Sequence, residues 1–239
     1  MSSRPRSGAS MDRICAITFD AFGTIVDTGR DALIRISERI VRDLFPEVDA
    51  TRFLERWDVH FFGIDHDPFL TIAEASGVSL ARTFSELGVD GDPDPYVAML
   101  QAEWQRAAPY PEVRGVLEAL EGTPRAVVSN ADDAMLKEIL ARHGLQFDAV
   151  LTSEACRSYK PAARIFEAAI RELGVSADRI LHVGDSLEAD VGGAQRLGMA
   201  TAWVNRSGET VNAQAPRPDL VVRDLGELLP VVRHLSDTG

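Results

Sequence analysis

From residue 112 to residue 235 the sequence changes its hydrophobic period repeatedly, short apolar runs alternating with stretches of helical spacing. Residues 112–120 read as helix, 126–129 as strand, 134–143 as helix, 150–152 as a weak strand and 162–173 as helix. Residues 180–183 then read as strand, 189–197 as helix, 200–204 as strand, and 220–222 with 225–235 as a closing strand and helix. A short, wholly apolar run is what a strand buried on both faces requires. Strands separated by helices pair in parallel, because each helix carries the chain back across the sheet. The alternation therefore predicts an α/β chain with a doubly wound, parallel-sheet, Rossmann-like core. Residues 14–19 form one more such run, β-branched and far upstream, and belong to the same sheet.

Between that first strand and the rest the period is helical only. Leu33, Ile36, Ile40, Val41 and Leu44 share one face, and Pro46 ends it. Phe53, Trp57, Phe61 and Phe62 suggest a second helix; residues 69–87, interrupted near Gly77, and 97–104 suggest more. Residues 88–95, rich in Gly, Pro and Asp, are the clearest loop of this stretch. The chain thus divides into a flexible tail at 1–11, a core at 12–28 and 108–239, and an inserted α-helical cap domain at 29–107. The tail lacks the apolar segment of a secretory signal, and Met11 offers an alternative start. No apolar stretch approaches the ~20 residues needed to cross a bilayer. Cys15 and Cys156 are too few for a disulfide framework and lack metal-ligand spacing. These features predict a cytoplasmic protein. A net charge of −12 repels nucleic acid and anionic membranes, so neither is an expected partner. A small molecule is, and a pocket can be locally positive inside an acidic protein. The oligomeric state is left open between monomer and homodimer.

An open parallel sheet binds ligands beyond the carboxyl ends of its strands. Four polar clusters stand there: Asp20-Ala21-Phe22-Gly23-Thr24, Ser129-Asn130-Ala131, Tyr159-Lys160-Pro161 and Gly184-Asp185-Ser186-Leu187-Glu188-Ala189-Asp190. Taken singly, an Asp or a Ser-Asn after a strand is an ordinary helix cap, and a lysine is ordinarily solvated. Lys137 and Lys160 are, however, the chain's only lysines. Four such clusters in this order on alternating strand ends point to one site.

With those residues the chain resembles the haloacid dehalogenase (HAD) superfamily, from residue 14 to about residue 235. Its hydrolases share a first-strand Asp-x-Asp-x-Thr, a second-strand Ser or Thr, a later Lys, and an acidic Gly-Asp-x-x-x-x-Asp. The resemblance implies that Asp20 is a nucleophile forming a covalent intermediate that water hydrolyses. It implies that Ser129 and Lys160 hold the transferred group and that the helical insert is a cap closing over the site. A Mg²⁺ ion would sit on Asp20, the Phe22 carbonyl, Asp185 and Asp190, the last directly or through a neighbour. The chemistry agrees: a carboxylate is a weak nucleophile that needs positioning and partial neutralisation by cations. Mg²⁺ takes hard oxygen ligands. Phe22, Gly23, Thr24 and Asn130 are the expected substrate-binding residues, with the backbone N–H groups after Phe22 cradling an anion.

One departure matters. Phe22 stands where the family's phosphatases carry the Asp that protonates the leaving alcohol, a loss of ~10²–10⁴-fold in rate. Three readings follow. True haloacid dehalogenases carry an aromatic residue there and expel a halide, which needs no proton; they use no metal and have Ser and Asn where this chain has Asp185 and Leu187. Phosphonate hydrolases need a cap lysine, and none occurs between Thr24 and Ser129. The expectation is therefore a Mg²⁺-dependent hydrolase of a small phosphorylated metabolite whose leaving group needs little protonation, or whose acid comes from His60 or His66 of the cap. A 2-haloacid dehalogenase is the alternative, and a non-catalytic binding or regulatory protein of the same fold is a third. His182, inside a strand, reads as a satisfied core histidine.

Overall fold

The computed structural model describes residues 11–27, 29–210 and 214–232. The expected tail therefore lies, but for Met11, outside the described residues. So does the end of the closing helix. The chain runs β1 (Ala16–Phe19), β2 (Val26–Asp27), α1 (Gly29–Leu44), α2 (Ala50–Phe62), α3 (Ile72–Glu86), α4 (Asp94–Gln105), β3 (Ala108–Pro109) and α5 (Val113–Ala119). It continues β4 (Arg125–Ser129), α6 (Asp133–Arg142), β5 (Ala149–Thr152), α7 (Ser153–Cys156), α8 (Ala163–Leu173) and β6 (Ile180–Gly184). A π-helical segment, Leu187–Gly192, leads into α9 (Gly193–Arg196), and β7 (Ala200–Val204), β8 (Leu220–Val222) and α10 (Leu229–Val232) close it.

The main sheet is parallel throughout, in the order β5-β4-β1-β6-β7-β8. Every residue of β1 is buried, as its unbroken apolar run requires. Successive side chains alternate between two layers. Ile17 and Phe19 join the cluster formed with α5, α6 and α10, while Ala16 faces Ile165, Phe166 and Ala194 of α8 and α9. Helices therefore cover both faces.

The inserted helices have a separate core. Phe45, Phe53, Trp57, Phe84 and Tyr96 pack as an aromatic cluster with Leu80 and Leu100 beneath them. Where the chain leaves and re-enters the sheet layer, β2 and β3 pair antiparallel, Val26 with Pro109 and Asp27 with Ala108. Two residues per strand carry no readable period, so this neck is absent from the sequence pattern.

Gly77 does not interrupt α3. The helix is continuous from Ile72 to Glu86, and burial of Ala75, Leu80 and Phe84 outweighs the ~1 kcal/mol that a mid-helix glycine costs. Phe69 and Leu70, read as helical, precede the helix because Thr71 and Glu74 form a capping box that starts it at Ile72. The stretch expected as one helix at 189–197 starts instead with the π-helical turn, which carries Asp190.

Candidate active site

In this strand order the chain winds outward from β1 through β4 to β5, then returns to β6 on the other side of β1. The reversal lies between β1 and β6, where loops diverge and leave a crevice. Asp20 directly follows β1, Ser129 ends β4, and Asp185 directly follows β6. Lys160 comes from the loop before α8, and Asp190 from the π-helical turn.

The side chains meet around Asp20, which is 4% exposed. Lys160 Nζ donates to Asp20 Oδ1 at 2.5 Å and to Asp190 Oδ1 at 2.6 Å. Ser129 Oγ donates to the same Asp20 oxygen at 3.0 Å. Both side-chain donors thus hold Oδ1 and none of these bonds reaches Oδ2. Burial raises the Asp20 carboxyl above the usual range, and Lys160 offsets part of that rise. Burial alone would lower the Lys160 ammonium, but Asp190 and Asp20 more than reverse it and keep it charged.

Asp190 is fully engaged. Its Oδ1 also meets His182 Nε2 at 3.1 Å, and its Oδ2 accepts the Ser186 amide at 2.9 Å. Burial works against its charge, yet Lys160 and His182 pull the carboxyl far below its ordinary value. His182 is in turn fixed through Nδ1 to Thr18 Oγ1 at 2.9 Å, with its ring edge-on to Phe166. It is the satisfied core histidine that its place in a strand suggested, and its partner is a site carboxylate.

Asp185 is different. The residue is exposed on its outer side, but the surrounding protein, then Asp20 and Asp190, push its carboxyl up to about 8. Carboxylate oxygens of Asp20, Asp185 and Asp190 lie within 4.8 Å of one another. Lys160 reaches the first and third of these. The trio sets three carboxyl groups against one ammonium, and its hard oxygen donors suit a divalent cation. Room for the two flanking carboxylates depends on glycine. A Cβ on Gly23, at φ +89°, would fall 2.2 Å from Asp185 Oδ2, and one on Gly184 would fall 2.2 Å from Asp190 Cγ.

Several expected contacts are replaced. The amides after Phe22 do not cradle an anion: Gly23 N donates to Val26 O, and Thr24, Ile25 and Val26 N all donate to Ala21 O. The tight turn consumes them. Thr24 is fully buried and lines neither cavity beside the site. Asn130 lies on a cavity wall, but its amide brackets Lys160, accepting from the Lys160 N–H at 2.7 Å and donating to its carbonyl at 3.3 Å. His60 is held by Glu86 at 2.6 Å, and the His66 ring packs tilted against Tyr159 with centroids 4.3 Å apart; neither lines the larger cavity.

A cavity of about 350 Å³ opens between the inserted helices and the sheet's carboxyl end. Phe22 and Ala131 form its floor, and Leu33, Trp57, Phe61 and Trp104 are among its walls. A smaller, polar cavity of about 260 Å³ adjoins Gly23, Asp185 and Arg206.

Arg206 escaped the sequence reading. Its guanidinium donates to the carbonyls of Gly23 and Thr24 at 3.3 and 2.9 Å and to Glu112 at 2.6 Å, and it lies 3.5 Å above the Tyr110 ring. It clamps the turn behind Asp20. The available signal was its position two residues past β7, a fifth strand end at the same edge of the sheet.

The sequence matches the family model for haloacid dehalogenase-like hydrolases over residues 14–198. It is 30% identical to the (S)-2-haloacid dehalogenase of Xanthobacter autotrophicus, covering 93% of this chain and 96% of that one. The structure of an L-2-haloacid dehalogenase from that organism, with chloropropionic acid covalently bound, superposes with a TM-score of 0.70 at 27% identity, covering 92% and 98% of the two chains. A glyceraldehyde 3-phosphate phosphatase of Methanopyrus kandleri is 32% identical over 62% of this chain and 69% of its own. With its parallel sheet, its site at the reversal of strand order and this match over most of its length, the chain belongs to the haloacid dehalogenase-like hydrolases.

Proposed function

We propose that the protein hydrolyses the carbon–halogen bond of a 2-haloacid, with Asp20 as nucleophile. Phe22 carries this reading. An alkoxide leaving group needs a proton, and the acids on the wall of the larger, apolar cavity are committed to other partners. Phe22 has no proton to give, Asp58 is paired with Arg30 at 2.5 Å, and Asp132 accepts the Ile72 and Ala73 amides at 2.7 and 3.1 Å. A halide departs as a stable anion. The haloacid dehalogenases among the relatives support the same choice, which displaces phosphate hydrolysis as the first reading.

Lys160 and Ser129 hold Oδ1, so Oδ2 attacks C2 of the substrate. The carbon–oxygen bond forms as the carbon–halogen bond breaks, and the halide leaves with the bonding pair. Water then adds to the ester carbonyl. Collapse restores the Asp20 carboxylate and releases a 2-hydroxy acid and one proton. Charge building on the carbonyl oxygen is met by the Lys160 ammonium.

One observation favours a second reading, hydrolysis of an activated phosphate: the third carboxyl group, Asp185, beside Asp20. There Asp20, Asp185 and the Phe22 carbonyl would hold Mg²⁺, and Asp190 would orient Lys160 rather than bind the ion. A bound divalent cation would offset the charge of phosphate and carboxylates.

The test is product release from L-2-chloropropionate and from acetyl phosphate, each with Mg²⁺ and with EDTA. The expected result is chloride release indifferent to EDTA, with one proton per chloride. Asp20→Asn should lower it at least about 10³-fold. Phosphate release that requires Mg²⁺, with no chloride, would overturn the dehalogenase reading in favour of the second.

A further inference from the structure

The larger cavity is built for more than a three-carbon acid. At about 30 Å³ per water-sized group, about six non-hydrogen atoms would fill only half of its 350 Å³. Leu33, Trp57, Phe61, Ile72, Trp104 and Met135 present apolar surface to it, and so do Phe22 and Ala131, which stand two residues after Asp20 and Ser129. Phe62, on the same wall, is 81% exposed, as a residue at an open rim would be. The polar side chains on the wall are largely turned to internal partners. Asn130 holds the Lys160 backbone, and Asp132 holds the first amides of α3. A substrate rich in hydroxyls would find few free partners here and would leave its own groups unpaired, which is costly.

Arg30 is the exception. It lies on the walls of both cavities, in the first turn of α1, and one of its five N–H groups goes to Asp58. The fork that remains suits a carboxylate.

We propose that this site selects carboxylic acids bearing a bulky apolar substituent, a medium alkyl chain or a phenyl ring, with the substituent among Trp57, Phe61 and Trp104 and the carboxylate at Arg30. The carboxylate end of this inference rests on the dehalogenase reading; the apolar end rests on the cavity.

Unhalogenated acids separate the two, because they bind without reacting. Affinities of the full-length protein for propionate, butyrate, hexanoate and phenylacetate would be measured by calorimetry. The expected gain is about fourfold per methylene, hence about 60-fold from propionate to hexanoate. Phenylacetate should bind at least as tightly as hexanoate. Hexanamide should bind at least tenfold more weakly than hexanoate, and Arg30→Gln should erase that difference. Phe62→Ser, at the exposed rim, should weaken hexanoate severalfold without disturbing the fold. Affinity that is flat or falls with chain length would overturn the apolar pocket. Equal binding of hexanamide and hexanoate would overturn the role of Arg30. The same preparation would be assayed for chloride from L-2-chloropropionate. A rising series without chloride defeats the reaction and leaves the pocket standing, whereas chloride with a flat series does the reverse.

Discussion

At Lys160 one ammonium answers two carboxylates, Asp20 and Asp190, and the three side chains are together almost sealed from water. Removing the cation leaves two buried negative charges facing each other, a change that typically costs 3–5 kcal/mol. Lys160→Met should therefore lower the unfolding free energy by about 3–5 kcal/mol in urea titrations and abolish turnover. A variant of wild-type stability would show that Asp20 and Asp190 are not both ionised in the native state. Lys160 was legible because lysine is rare in this chain and this one stands in the Tyr159-Lys160-Pro161 cluster. Arg206 was not. It acts on backbone carbonyls 182 and 183 residues away, and no local pattern records which carbonyls a distant arginine will reach.

The turn after β1 illustrates the next scale. Gly23 sits at φ +89°, a conformation that residues with a side chain rarely hold, and its missing Cβ is the space Asp185 occupies. Gly23→Ala should destabilise by about 1–3 kcal/mol and lower kcat more than it raises KM, because it displaces Asp185 and the turn that carries Asp20. Thermal unfolding with steady-state kinetics would check this; unchanged kcat would mean the Asp185 carboxylate has no part in the reaction. The same turn explains a failed expectation. Its amides close on Ala21 and Val26, so they are lost to any anion. Strands and long helices were readable because burial imposes a period on the sequence. The two-residue strands of the neck and the π-helical turn under Asp190 impose none.

Across the whole molecule, two apolar bodies, the layers around the sheet and the aromatic core of the inserted helices, meet over the carboxyl ends of the strands. Core residues reach across this junction. Asp132 accepts the first amides of α3, and Tyr159, next to Lys160, donates to the Leu70 carbonyl and stacks on Phe69. Among the described residues no helix is long and apolar enough to cross a membrane. The net charge of −12 repels an anionic substrate over about 30 Å at 10 mM salt but only about 8 Å at 150 mM. Raising ionic strength across that range should increase kcat/KM for a haloacid about twofold. A decrease would mean that attraction at Arg30 outweighs the overall field.

The sequence by itself determined the parallel sheet, the helical insertion and the strand ends at which polar residues gather. Hydrophobic periods are local, and they record which faces each element must bury. Tertiary structure alone decided the partners. It pointed Ser129 and Lys160 at one oxygen of Asp20, committed Asp190 to Lys160 and His182, and set the Asp185 carboxyl beside Asp20 and Asp190. It also closed the turn amides against a ligand and opened an apolar cavity walled by residues from Phe22 to Met135. Such outcomes depend on which groups, far apart in the chain, compete for the same few ångströms of buried space, and no stretch of sequence contains that competition.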